Sequence, residues 1–453
     1  MAAPDSGNRR SRLAVLALVL ALVGAASMVY YHQGLFVPRV LEVRAAKGLG
    51  NGYSFGNDFY QIWLTSREWL RHRRDPYSPE MTREIQIGLY GRPLDPDFPS
   101  DPTDRRAFPY PAFVVLLFWP TAKVPFLVLR ALIVCLLAAL TGATVLLWIK
   151  AFSWHVRWPW LATILLLVMC SYPVLEGLYA EQIGLLVGFL MAASIYMLRR
   201  GRLLLGGILL ALTIMKPQVT VLAILYLLIW SYHDWRKRGR LCASLFSTIF
   251  LLVGSALVVW PHWIRSWIRV AVEYHGYTTP PLVSTILSVP LWERLVEPIP
   301  LIITLGLLVT AVALAWWNRA APADSLEFRL TLSLLLGITT ITLLPGQAIY
   351  DHGILLPGIF LLASRRKELS HGWIPKSLLM TGVATLLWPW IASFSLIVLR
   401  PLLANQKVYS EAVLALPLRT AAAFPFVVLG LLAMALRTML RQPKLTSVLP
   451  APR

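Results

Sequence analysis

The sequence predicts an all-α, polytopic integral membrane protein with about 11–13 transmembrane helices. Three observations carry that prediction. Of 453 residues, 57% are apolar and only 14% charged, against about 45–50% and about 25% in soluble domains. The apolar excess comes in runs matched to a bilayer, whose hydrocarbon core a helix crosses in about 20 residues. The net charge of +20, from 42 Lys and Arg against 22 Asp and Glu, sits largely in short segments between those runs. On a soluble chain such a balance points to nucleic acid; between membrane spans it reports topology and anionic headgroups. No nucleic-acid partner is expected, and fibrous, disordered and small secreted folds are excluded. Cys135, Cys170 and Cys242 lie in or beside apolar runs with no CxxC or CxxH spacing. Neither a disulfide framework nor a cysteine metal site is expected.

In chain order, residues 1–12 form a cytoplasmic N-terminus carrying Arg9, Arg10 and Arg12. The run 13–31 is the first transmembrane helix, an uncleaved anchor ending on the aromatic pair Tyr30-Tyr31. Residues 32–111 are the first outer loop, 112–436 the polytopic bundle and 437–453 a cytoplasmic tail. Basic clusters at Lys150 and Arg157, 199–202, 236–240, Arg319 and Arg329, 365–367 and the tail alternate with the apolar runs so that all fall on one side. That places both termini of a multi-pass cell-membrane protein in the cytoplasm. Two runs are too irregular for plain spans. Residues 203–232 are interrupted by Met215-Lys216-Pro217-Gln218 and read as two tilted helices meeting at an outer-side break. Irregular backbone at that depth requires surrounding protein or a water-filled cavity. Residues 112–119 precede Pro120 and read as a short piece dipping into the membrane before the true span begins near 126.

Loops as long as 32–111 are commonly functional. Within it, 58–71 repeats Phe59, Ile62, Trp63, Ser66, Trp69 and Leu70 every three or four residues. That is one face of a helix expected to lie on the outer leaflet, with Trp at headgroup level and Arg67, Arg71, Arg73 and Arg74 toward water. Asp58 starts this helix. It can serve as an N-cap, with Gln61 completing a capping-box-like pair, or as a catalytic carboxylate, and the two roles are compatible. Asp75-Pro76-Tyr77 and the acidic run 95–102 read as turns, the interleaved prolines spoiling a calcium loop.

Ionisable groups within apolar runs are costly and mark functional sites. Tyr179-Ala180-Glu181-Gln182, Lys216-Pro217-Gln218 and the segment from Pro345 to Tyr350-Asp351-His352 all fall at outer-side turns, on the side of Asp58. Each has a plain alternative: Glu181 in headgroup water, Lys216 snorkelling to the interface, His352 as an ordinary hydrogen-bonded histidine. Their convergence is the stronger signal. A second outer loop, 261–298 with His275 and Tyr277, is placed to cover the cavity they would line. No GxGxxG, GxxxxGK[ST], HExxH or HxxxH pattern points to a nucleotide donor or a zinc centre. An outward carboxylate among interfacial cations suits transfer from a lipid phosphate instead. The leaving phosphate needs charge neutralisation, and the attacking hydroxyl needs a base, a role open to Asp58. In-line attack would invert the anomeric carbon.

Asn57-Asp58-Phe59-Tyr60, Asp75-Pro76-Tyr77, Phe108-Pro109-Tyr110-Pro111, Glu181-Gln182, Lys216-Pro217 and Tyr350-Asp351-His352, in that order and spacing, resemble glycosyltransferase family 87. These are polyprenol-phosphate-mannose-dependent mannosyltransferases of the GT-C superfamily. The resemblance implies a GT-C-like bundle whose active site faces outside or the periplasm, Asp58 as catalytic aspartate, and no cofactor beyond the lipid-linked donor. It also implies that Lys216 and His352, with Glu181 and Gln182 beside them, meet the donor phosphate or sugar. Tyr60, Tyr110, Asp351 and Gln218 would then contact the acceptor or support the site. Mannose is the expected sugar, a glycolipid or glycan the expected acceptor, and no metal is expected. Two positions depart from the pattern: Ala112 follows Tyr110-Pro111 in place of a second proline, and Gly184 stands where Asn is common. The rival reading is a transporter or flippase of a lipid-linked or anionic solute, which should show repeated halves; none is visible.

Overall fold

In lipid, a chain must satisfy its backbone groups internally, and long apolar runs do so as helices. The computed structural model describes residues 6–49, 58–95, 97–99, 101–287, 298–369, 373–402 and 411–441. Asn57, residues 288–297 of the second outer loop and the tail from 442 lie outside the described residues. The described chain is nearly all helical and forms a multi-pass membrane protein. Among the described residues six helices are long and apolar enough to cross a bilayer, or seven if the one bent pair is a single span. Five shorter apolar helices of 10–17 residues accompany them.

The N-terminal run forms α1 (Ser6–Tyr30), widens into a π-type turn at Tyr31–Phe36 and continues as α2 (Val37–Ala46). The expected end of the span at Tyr31 is therefore no end. Tyr31 is fully buried and donates its hydroxyl to the Leu414 carbonyl at 2.6 Å. His32 beside it meets Glu176 at 2.8 Å. The aromatic residue that suggested an interface is a packing residue.

The outer-loop helix is α3 (Asp58–His72), followed by α4 (Pro79–Tyr90). Ser78 caps α4 by accepting from the Met81 amide, and Gly91, at φ 78°, ends it. The leaflet position expected for α3 is corrected. Residues 59–66 are all buried, the polar Gln61, Thr65 and Ser66 included. Trp63 is 3% exposed and donates to the Val124 carbonyl at 3.0 Å. The helix is enclosed by α4, by the short α5 (Phe113–Phe118) and by the 3-10 turn Trp119–Lys123 that precedes α6 (Phe126–Ala151). Its apolar face was legible, but the packing of α4, α5 and the 3-10 turn over its other face emerges only in the fold.

α7 (Trp158–Met169) and α8 (Tyr172–Tyr179) form the bent pair, at 53°. α9 (Ile183–Arg199) and α10 (Leu203–Leu212) follow. The predicted break is present: 3-10 turns at Thr213–Met215 and Pro217–Val219 separate α10 from α11 (Val221–His233). Next come α12 (Trp235–Val259), α13 (Trp263–Tyr277), α14 (Leu282–Leu287), α15 (Pro298–Trp317) and α16 (Leu326–Thr342). A 3-10 stretch at Ile349–Leu355 leads into α17 (Leu356–Ser364). The chain closes with α18 (Arg366–Leu369), α19 (Trp373–Leu399), α20 (Glu411–Leu414), α21 (Leu416–Ala421) and α22 (Phe424–Arg441).

The bundle core gathers Leu210, Tyr226, Leu332, Leu336 and Leu432 from α10, α11, α16 and α22. Loops assigned to one side by their charge meet at one end. Arg329 donates to the Phe152 carbonyl at 2.9 Å, and Arg238 to the Arg319 carbonyl at 3.1 Å. Between α10 and α12 the backbones approach closely, as small residues allow in membranes. A Cβ on Gly207 would run into the Leu241 carbonyl and lie 3.0 Å from the Leu245 nitrogen, whereas on Gly206 its nearest neighbour stands at 3.4 Å. Gly207→Ala is expected to cost about 1–3 kcal/mol by overpacking. Gly206→Ala should be neutral or gain up to about 1 kcal/mol of helix propensity. Thermal unfolding in detergent compares them, and equal melting temperatures would contradict the close approach.

Candidate active site

The two polar interruptions of the apolar sequence and the start of α3 converge on one cavity of about 260 Å³. Asp58, Gln61 and Arg106 line one wall, Gln182, Lys216 and Gln218 another. Trp267, Tyr274 and His275 of α13 form the cover expected of the second outer loop. Asp58 is fixed at three points. Its amide donates to the Ala180 carbonyl at 2.9 Å. One carboxylate oxygen accepts from Arg106 at 3.2 Å and the other from the Gln182 side-chain amide. The side chain is thus held across the α8–α9 turn and not spent on capping its own helix.

That turn is built for the purpose. Glu181 adopts the left-handed conformation at φ 52°, which costs a non-glycine residue about 1–3 kcal/mol. The twist sends the fully buried Glu181 away from the cavity to Arg130 at 2.8 Å, and leaves Gln182 facing Asp58. Gln182 in turn accepts from Lys216 Nζ at 3.2 Å. An ammonium can only donate, so this bond fixes the amide with its NH2 toward Asp58. Lys216 itself is neutralised by both oxygens of Asp351, at 2.8 and 2.7 Å, and stands 4.7 Å from the centre of the Tyr350 ring. A continuous chain, Asp351–Lys216–Gln182–Asp58–Arg106, results. Arg106 ends it, bonded to the Tyr90 hydroxyl at 3.0 Å and paired with Asp104 at 3.4 Å.

Gly184 has a plain geometric reason. A Cβ there would collide with the Asp351 carboxylate and lie 3.3 Å from Lys216 Nζ. The space that a side chain would take here is occupied by the ion pair.

Burial pushes the Asp58 carboxyl up to about 6; the charges of Arg106 and Lys216 oppose the rise, and those of Asp104 and Asp351 add to it. Burial likewise raises the Tyr274 phenol, keeping it a neutral donor and acceptor over the cavity.

Of the expected site residues, Asp58, Tyr110, Gln182, Lys216 and Gln218 line the cavity, and Asp351 backs it. The other three lie away from it. Glu181 turns to Arg130. His352, 5% exposed, lies beyond Asp351 and bonds the Ala421 backbone. Tyr60 packs beneath α3, its ring 4.9 Å from that of Phe126. Sequence reasoning missed Arg106, Asp104, Trp267 and Tyr274, and took Gln61 only as half of a cap. Gln61 is 3% exposed and its carbonyl oxygen has no partner. The one available signal was Asp104-Arg105-Arg106, one residue ahead of the Phe108-Pro109-Tyr110-Pro111 motif. Among the described residues no group of three or more His, Cys, Asp or Glu is placed to hold a metal ion.

Removing one partner of a buried pair strands the other charge, typically at about 3–5 kcal/mol, whereas replacing both is close to neutral. Lys216→Met is therefore expected to lower the melting temperature sharply, and Lys216→Met with Asp351→Leu to recover most of the loss. A double variant less stable than the single one would contradict a mutually compensating pair.

No curated protein and no solved structure matches the chain. Asp58 and Asp351 flank the segment that a family model does recognise, so their part in the site rests on geometry. That segment, residues 108–345, contains Gln182, Lys216 and the α13 cover, spans more than half of the sequence and matches glycosyltransferase family 87, to which this chain belongs.

Proposed function

We propose that this membrane glycosyltransferase moves a sugar, with mannose the expected one, from a polyprenyl-phosphate donor to a hydroxyl of a glycolipid or glycan on the outer face of the membrane. The observation that carries the reading is Asp58: a half-buried carboxylate at the cavity wall, held by one donor on each oxygen, with its carboxyl raised to about 6. Each carboxylate oxygen has two lone pairs, so both retain capacity for a third partner, the acceptor hydroxyl.

In this mechanism the acceptor oxygen attacks the anomeric carbon as its proton passes to Asp58. The bond between that carbon and the phosphate oxygen breaks, and its electron pair leaves with the polyprenyl phosphate. Attack opposite the leaving group inverts the anomeric centre. Asp58 then returns its proton to water. Arg106 and Gln182 orient the base, and Lys216, held by Asp351, fixes Gln182. Gln61 offers its unpartnered carbonyl oxygen, and Gln218 and Tyr274 add polar groups, to sugar hydroxyls in a cavity of monosaccharide size. Glu181, Tyr60 and His352 support the site from behind.

Asp58→Asn is expected to reduce transfer by at least about 10²–10⁴-fold while leaving donor-lipid binding and the melting temperature near wild type. Purified protein with radiolabelled polyprenyl-phosphate mannose and membrane lipids is the assay, and near wild-type transfer by the variant would remove the base from Asp58. A base must be ionised to accept a proton. With the carboxyl at about 6, transfer at limiting donor should be flat above that pH and fall about tenfold per unit below it. Activity that instead rises as pH drops through 6 would assign the titration to an acid.

A further inference from the structure

Arg106 faces a second space. Beyond Asp104 and Arg106, which belong to both walls, a cavity of about 570 Å³ lies between α2 and α21. Val40 and Val43 of α2 and Leu414 and Leu418 from the opposite side give it an apolar wall. Arg39, Arg44, Lys47, Arg106 and Arg419 bring five cations to it. Among the described residues Asp104 is the one acid on that lining, and it is shared with Arg106 at 3.4 Å. Arg44 is steadied from behind, its guanidinium 5.0 Å from the centre of the Tyr90 ring and bonded to the Leu89 carbonyl.

The charge balance differs from that of the Asp58 cavity. There Lys216 is matched by Asp351, and Arg106 by Asp58 and Asp104. On the second cavity Arg106 shares Asp104 and Arg39 meets Glu42 at 3.3 Å, which leaves the charge of Arg44, Lys47 and Arg419 in excess of the one acid on the described lining, against an apolar wall. Cations crowded in a partly dehydrated space repel one another, and an anion entering relieves that repulsion. An apolar wall adjoining them favours a ligand that is anionic at one end and hydrocarbon at the other.

We infer that this second cavity holds the phosphate of the polyprenyl donor, with Arg44, Lys47 and Arg419 around the phosphate and the chain along α2 and α21. Arg106 then stands between phosphate and base, and the sugar reaches Asp58 past it. The inference rests on the lipid-phosphate donor reading and names where that donor's charge is bound.

The test uses the full chain in phosphatidylcholine nanodiscs and a polyprenyl phosphate lacking sugar, titrated by native mass spectrometry. Arg44→Gln with Arg419→Gln is expected to weaken binding at least about tenfold, and added salt to weaken it further. Arg419→Lys should stay within about threefold of wild type, and the matching polyprenol should bind far more weakly. If Arg44→Gln unfolds the chain, Arg419→Gln alone is compared with Arg419→Lys. Unchanged binding in the glutamine variants, equal binding of the polyprenol, or full displacement by inorganic phosphate at equal concentration would overturn the inference. Because no sugar or acceptor is present, its failure is separable from that of the proposed function. Binding lost in the variants with no transfer from any sugar lipid sinks the function alone. Transfer with an unchanged donor KM in Arg419→Gln sinks the inference alone.

Discussion

A charge inside an apolar bundle has to be matched by another, and the site is organised around that requirement. Asp351 is 2% exposed and Lys216 7% exposed. Each makes the other tolerable, since either alone would carry an unmet desolvation penalty of several kcal/mol. The pair does more than survive burial. Because Lys216 can only donate, its remaining contact sets the orientation of the Gln182 amide, and the amide sets Asp58. A stabilising necessity on one side of the chain thus becomes positional control on the other.

The surrounding backbone is shaped to let that chain form. The α10–α11 break brings Lys216 to the cavity wall in place of a helical face. Gly184 removes the one side chain that would block Asp351. Glu181 accepts a left-handed conformation so that adjacent residues can face opposite ways, one to Arg130 and one to Asp58. α3 is gripped on all sides, which holds its first residue still. Rigid support of this kind suits the role proposed for Asp58, since small misplacements of a reacting group cost orders of magnitude in rate.

Much of this was legible in the sequence, and unevenly so. The fold class followed from apolar runs of bilayer length, and the helix break from Lys216-Pro217, because both signals are local. Gln182 and Lys216 stood out as polar residues in apolar surroundings, and Asp58 as a carboxylate at a helix start; the fold brings the three to one cavity. Arg106 was not, because an arginine in a polar loop looks like any other; only the fold turns it onto Asp58. The end of the first span was misplaced for the same reason. Tyr31 read as interfacial until a residue 383 positions away accepted its hydroxyl. His352 read as a donor contact, but Asp351, its neighbour in sequence, occupies the position nearer the cavity. Side chains that depend on a distant partner are where local reasoning stops.

The distribution of polar groups also separates an enzyme from a passage. A transporter needs a polar route that can open to either side around a site at mid-membrane. Here the ionisable chain lies along the Asp58 cavity and ends at Arg106. On α16 the buried hydroxyls of Thr339, Thr340 and Thr342 bond carbonyls of their own helix, four residues back, and line no path. Around them the core is apolar. At the far end, Arg238 and Arg329 tie neighbouring loops together through backbone carbonyls, contacts that rocking halves would have to break. A cavity with a carboxylate fixed at its wall and an apolar core around it suits chemistry performed on a bound substrate. The proposed lipid donor would enter from the bilayer, because α2 and α21, which line the second cavity beyond Arg106, offer apolar residues to its chain.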